Sequence, residues 1–76
     1  MNRIDNVLAR VLRLAPDHIR DDLAPRDVTT WDSLAGLVLV AELERTFNIV
    51  FTLSDVQSIR CVGDIKKILA RHGVCE

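Results

Sequence analysis

Tyrosine is absent from this 76-residue chain, and Trp31, Phe47 and Phe51 are its only aromatic side chains. With 49% of residues hydrophobic, such a composition suits a small helical bundle packed by Leu, Val and Ile. The length gives one core, with no room for a second core or a deep catalytic cleft, which disfavours an enzyme. The two cysteines, Cys61 and Cys75, have no CxxC spacing and no cluster of histidine partners, so a structural zinc site is not expected. His72 and Cys75 lie close together near the C-terminus, but two donors on a chain end make no metal site. Both thiols read as ordinary ones, in keeping with a reducing compartment. No apolar run approaches the roughly 20 residues of a membrane span, and the first residues lack a signal-peptide core. A cytoplasmic protein without membrane attachment is expected. The formal net charge is −1, and Lys and Arg are scattered from Arg3 to Arg71 without a basic block. Binding to nucleic acid is disfavoured, because phosphate contacts need a concentrated basic face.

Against those absences stands a clear helical pattern. Ile4, Val7, Leu8, Val11 and Leu12 recur at the spacing of one apolar stripe, with Arg3, Asp5, Asn6, Arg10 and Arg13 mostly opposite. The first helix is predicted from Asn2 to Leu14. Pro16 then ends it or opens a new turn. A long connection to Thr30 follows, containing Asp17, Asp21, Asp22, Pro25 and Asp27 and little periodicity. Ile19, Leu23 and Val28 are its expected anchors. A loop of this length in so small a domain is unusual unless it packs on the core or serves function.

The stretch from Asp32 to Phe47 forms the centre of the chain. Thr29, Thr30, Asp32 and Ser33 compete for its cap, and the segment then runs on good helix formers. Read alone, Ser33 is an N-cap whose hydroxyl accepts from a backbone N–H of the first turn. Trp31 reads as an apolar plug closing the loop against the bundle. Gly36, Leu39, Val40, Leu43 and Phe47 share one face, the core face. Leu34, Val38 and Ala41 lie on another, and Leu37 sits between the two. A helix that is apolar beyond its core stripe is either buried all round or offers the surplus to a partner. In so small a domain the second is expected.

After Phe47, the β-branched run Asn48-Ile49-Val50-Phe51-Thr52 imitates a strand, but nothing is available to pair with it. It is expected to be an extended connection burying Ile49 and Phe51. Ser54 reads as the cap of a short helix from Asp55 to about Ile59. A last helix from Cys61 or Val62 carries Val62, Ile65, Ile68 and Leu69 inward, with Lys66, Lys67 and Arg71 toward its C-terminal part and Gly73 as its stop.

Asp32-Ser33-Leu34 at the head of a helix, preceded by Trp31 and followed by Leu43-Glu44 and Phe47, Ile49 and Phe51, resembles the acyl carrier protein family. Leu14-x-Pro16-x-x-Ile19-x-Asp21 is similar to that family's entry into its long first loop, and the likeness runs from the first helix through Leu69. The resemblance implies an all-α fold, a small four-helix bundle of three main helices plus a short third one, with a long first loop. It implies one acyl-carrier-like domain over residues 1–76, free-standing and monomeric. It implies that Ser33 carries a 4′-phosphopantetheine arm, placed by a transferase that uses coenzyme A and magnesium, and that the arm's thiol holds acyl cargo as a thioester. Asp32 and Leu34 flank that site. The helix N-terminus would offer the phosphate unpaired N–H donors and a favourable field. The carboxylate of Asp32 would repel a phosphate folded back on it, so the phosphate is expected to stay exposed and screened.

The family's fatty-acid carriers have a strongly acidic second helix, whereas this one has only Glu42 and Glu44, offset by Arg45. That departure points away from chiefly electrostatic recognition and toward a specialised pathway. Leu34, Leu37, Val38, Ala41 and Glu42 are the expected surface for partners, namely the transferase and acyl-loading, synthase or transferase enzymes. Carrier proteins usually start the last helix with Ser or Thr; Cys61 in that place implies a weaker cap, offset by Asp64. Two other readings stand beside an acyl or ketide carrier. An aminoacyl carrier is one, although Thr30-Trp31-Asp32-Ser33 lacks the Gly-Gly that often precedes the serine in peptide carriers. An unmodified helical adaptor using the same apolar face is the other. No catalytic constellation is visible, since neither His18 nor His72 falls beside Ser33 in sequence or by helical spacing.

Overall fold

The computed structural model describes residues 3–74. Among them the regular elements are all helical: α1 (Arg3–Leu12), α2 (Ser33–Phe47), the short α3 (Leu53–Gln57) and α4 (Val62–Arg71). None is long and apolar enough to cross a membrane. Ile4, Val7, Leu8 and Leu12 of α1 are buried against Leu39 and Leu43 of α2 and Val62, Ile65, Ile68 and Leu69 of α4. The predicted stripes supply the core, closed by Trp31 and Phe51, with Val11, Val40 and Phe47 only partly buried against it. Trp31 is 5% exposed, as the plug reading required.

Each of the three longer helices ends in the same way. A residue just past the helix adopts a left-handed conformation: Arg13 directly after α1 at φ 59°, Asn48 directly after α2 at φ 55°, and Gly73, two residues beyond the end of α4, at φ 87°. The following N–H then reaches back to the last turn, Leu14 to the Ala9 carbonyl at 3.0 Å, Ile49 to Glu44 at 3.2 Å and Val74 to Leu69 at 2.9 Å. This is the six-to-one bond of the Schellman motif, which satisfies otherwise orphaned carbonyls. Gly73 thus serves as the predicted stop. The first helix ends at Leu12 rather than Leu14 because Arg13 turns the chain; its predicted start at Asn2 lies outside the described residues.

The first loop is not featureless. Pro16–His18 and Pro25–Asp27 form single turns of 3-10 helix. A proline opens each turn, where its missing N–H costs nothing. Ile19 and Leu23 are buried and Val28 half-buried, as expected; Ala24, unanticipated, is buried as well. Thr30 donates its hydroxyl to the Leu12 carbonyl at 2.6 Å, tying the end of the loop to the end of α1. At the start of α4, Val62 N–H donates to the Leu23 carbonyl at 2.9 Å and Gly63 N–H to the Asp21 carbonyl at 2.8 Å. Cys61 makes no side-chain cap, yet the expected weakness at this helix start is met by the loop backbone. Asp64, in the first turn, adds to this by accepting from Arg60 N–H at 3.0 Å.

Two expectations for the third helix need correction. Its cap is Thr52, not Ser54, and it runs from Leu53 to Gln57. Thr52 Oγ1 accepts from Asp55 N–H at 3.0 Å, while the Asp55 carboxylate accepts from Thr52 N–H at 3.1 Å. Such a reciprocal capping box satisfies two orphan donors at once and outcompetes a lone Ser54. The preceding segment forms no strand; Phe51 is buried, Ile49 half-buried, and Phe51 N–H donates to the Glu44 carboxylate at 2.7 Å. The donor that a partner strand would have satisfied is satisfied by a side chain instead.

Candidate functional site

Asp32 caps α2. Its backbone is extended and its Oδ1 accepts from Ala35 N–H at 2.8 Å. Ser33 is therefore the first helical residue and not the cap, which corrects the simplest reading of its hydroxyl. The consequence is chemical. Ser33 is exposed, and among the described residues no hydrogen bond engages its hydroxyl.

Around the serine lies an apolar surface. Leu34 is 70% exposed, Leu37 63% and Val38 41%, and Ala41 is exposed beside them. The sequence-predicted residues Leu34, Leu37, Val38 and Ala41 thus continue from Ser33 along one exposed side of α2. Glu42 differs: Arg45 bonds it at 2.7 Å and Arg10 at 3.3 Å. The hydrogen bond from Arg45, with the charges of both arginines behind it, holds the Glu42 carboxyl below its ordinary value. Its charge is answered within the chain, leaving little for a basic partner to attract.

Two depressions flank α2 near Ser33. On the α3 side a cavity of about 150 Å³ is lined by Pro25, Trp31, Ser33, Gly36, Leu37, Leu39, Val40, Leu43, Val56, Ile59 and Ile65. No charged side chain among the described residues lines it. On the α1 side a groove of about 350 Å³ is lined by Val11, Arg13, Thr30, Asp32, Leu34, Ala35 and Val38. Pro25, Val56, Ile59 and Arg13 were not legible as site residues, because each reaches the serine's neighbourhood only through the packing of its own element. His72 is bonded to Asp55, and His18 lines a separate surface depression with Asp17 and Asp27. Neither histidine lines the cavity that Ser33 does.

The sequence matches the family described as phosphopantetheine attachment site over residues 2–69. No curated protein matches the chain significantly. Among solved structures, the fold is similar to a protein assigned as an acyl carrier protein from Mycobacterium tuberculosis, at 32% identity and a TM-score of 0.80, over 91% of this chain and 92% of that one. An exposed serine opening the second helix of a four-helix bundle agrees with both comparisons, and the chain belongs to the acyl carrier family, non-catalytic domains whose covalent group is 4′-phosphopantetheine.

Proposed function

We propose that Ser33 is the attachment point of the arm and that the chain delivers acyl or ketide units to partner enzymes. The observation that carries this reading is the division of labour at the start of α2: Asp32 caps the helix and the Ser33 hydroxyl is left exposed. Ser33 Oγ would pass its proton to a base of the transferase and take the phosphoryl group of coenzyme A, with the adenosine bisphosphate leaving. When attached, the arm supplies a thiol that holds cargo as a thioester. Asp32 keeps the helix start rigid beneath the reacting hydroxyl, so the residue is presented on a fixed element and not on a mobile loop.

Leu34, Leu37, Val38 and Ala41 would form the contact surface for the transferase and for the enzymes that load and use the cargo. Apolar contact outweighs charge there, since Glu42 is already paired with Arg45 and Arg10. The α3-side cavity favours an acyl or ketide cargo over an aminoacyl one, because an ammonium would be desolvated there with no carboxylate on the wall.

Intact mass tests the assignment. The protein co-expressed with a broad-specificity phosphopantetheinyl transferase should gain the mass of one phosphopantetheine, and Ser33→Ala should gain none. An unmodified wild type, with the transferase active on a control carrier, would leave the adaptor reading in its place.

A further inference from the structure

Arg13 is brought to the site by the fold alone. It follows α1, twenty residues before Ser33 in the sequence, and the left-handed turn at φ 59° places it on the wall of the α1-side groove together with Thr30, Asp32 and Leu34. The hydrogen bond from Thr30 to the Leu12 carbonyl holds this corner together. Among the described residues no ion pair engages the Arg13 guanidinium. Its neighbour Arg10, by contrast, is paired with Glu42.

We propose that Arg13 and the α1-side groove bind the root of the arm, its phosphodiester and the branched alkyl carbons next to it. The inference rests on attachment at Ser33. Charge decides between the two depressions. Among the described residues no cation lines the α3-side cavity, and seating a phosphodiester there would desolvate an anion without a partner. The α1-side groove has a guanidinium that forms no ion pair among the described residues, whose planar donors match phosphate oxygens, and it offsets the repulsion from Asp32. Beyond Arg13 the groove wall is apolar, formed by Val11, Leu34 and Val38, which suits the methyl-bearing carbons adjoining the phosphate. Ser33 stands on the divide, lining one depression while its neighbours Asp32 and Leu34 line the other. The root of the arm leans toward α1.

The test compares apo and phosphopantetheine-loaded protein by NMR, after intact mass has confirmed loading. On loading, the Arg13 Nε–H signal and the amides of Val11 and Val38 should shift. The shifts at Val11 and Val38 should be lost in Arg13→Gln and recovered in Arg13→Lys. Arg13→Gly, which fits the left-handed turn without strain, should also lose them and guards against a folding defect in the glutamine variant. Loading shifts confined to Gly36, Leu37 and Val56, or an Arg13 signal that does not move, would overturn the proposal. A wild type that gains no mass would overturn attachment itself, and that failure is seen before any spectrum is recorded.

Discussion

Nε2 of His72 lies 3.1 Å from Oδ2 of Asp55, joining the end of α4 to the first turn of α3. Arg71 bonds the other carboxylate oxygen at 3.0 Å, and the His72 ring stacks on Phe51 with centroids 6.0 Å apart. Asp55 is a charged residue buried to 7% exposure, yet it is fully partnered. An ionised carboxylate only accepts, so Nε2 carries the proton in this contact. The five-residue α3 is too short to hold itself. This cluster and the packing of Val56 on the core hold it in place, and Val56 also lines the cavity beside Ser33.

Asp55 should therefore set the acid limit of the fold. The hydrogen bond from His72, then the capping bond from Thr52 and the charge of Arg71, hold its carboxyl below the ordinary 3.8. The unfolded chain takes up the proton first as pH falls, so the contribution is present above the ordinary value and lost as pH drops through the folded one. Asp55→Asn should lower the thermal midpoint at neutral pH and flatten the acid side of the stability curve. Thermal unfolding of both proteins between pH 3 and 7 checks it; parallel curves would remove Asp55 from this role.

Lys66 gives the opposite sign at the alkaline end. The bond to Asp21 at 2.9 Å, followed by the charge of Asp5 at 3.5 Å, raises its ammonium above the ordinary 10.5. Its contribution is complete below that value and fades as pH rises through the folded one. Lys66→Met, which keeps the stem but not the charge, should leave a profile that declines less steeply above pH 10. Denaturant melts across the alkaline range measure the difference.

At the start of α2, capping and modification should separate cleanly. Asp32→Ala removes the acceptor of Ala35 N–H and should cost about 1 kcal/mol. Ser33→Ala removes an exposed hydroxyl and should change stability by less than about 0.5 kcal/mol, while abolishing the mass gain. Equal destabilisation by the two substitutions would return Ser33 to a capping role.

The apolar surface should matter to partners and not to folding. Leu34 is 70% exposed, so Leu34→Ala should leave stability within about 0.5 kcal/mol. Loading by a transferase should slow on the order of tenfold in kcat/KM if Leu34 is a central contact, a loss of about 1–2 kcal/mol. An unchanged loading rate would show the patch to be incidental for that enzyme.

Much of this was legible because local rules and tertiary packing agree. The stripes Ile4-Val7-Leu8 and Ile65-Ile68-Leu69 predict the buried faces, and Ser33 was visible through its neighbours Asp32 and Leu34. What stayed hidden depends on groups meeting from distant segments. Cys61 promised a weak cap because nothing in the sequence shows that the Leu23 and Asp21 carbonyls cover the N–H groups of Val62 and Gly63. Ser54 outranked Thr52 as a cap only while Asp55 was read for its charge and not for its reach back to Thr52 N–H. Arg13, on the polar side of the first helix, carried no signal of the groove that Thr30 and Asp32 close around it.

Arg13 and Asn48 occupy equivalent turns, at φ 59° and φ 55°, but they should respond differently to glycine. A left-handed conformation costs an ordinary L-residue roughly 1–2 kcal/mol, while asparagine tolerates it through local hydrogen bonding. Arg13→Gly relieves that strain and gives back part of the gain to the more flexible unfolded chain, for a net stabilisation of about 0.5–1 kcal/mol. Asn48→Gly should change stability by only a few tenths. Denaturant unfolding of both variants against wild type measures the contrast. A clear gain at Arg13 would mean that the fold accepts a strained arginine where glycine fits better, a local cost set against the cation it places on the groove wall with Asp32 and Leu34. No gain would mean that Arg13 makes contacts with the rest of the chain strong enough to cancel the strain.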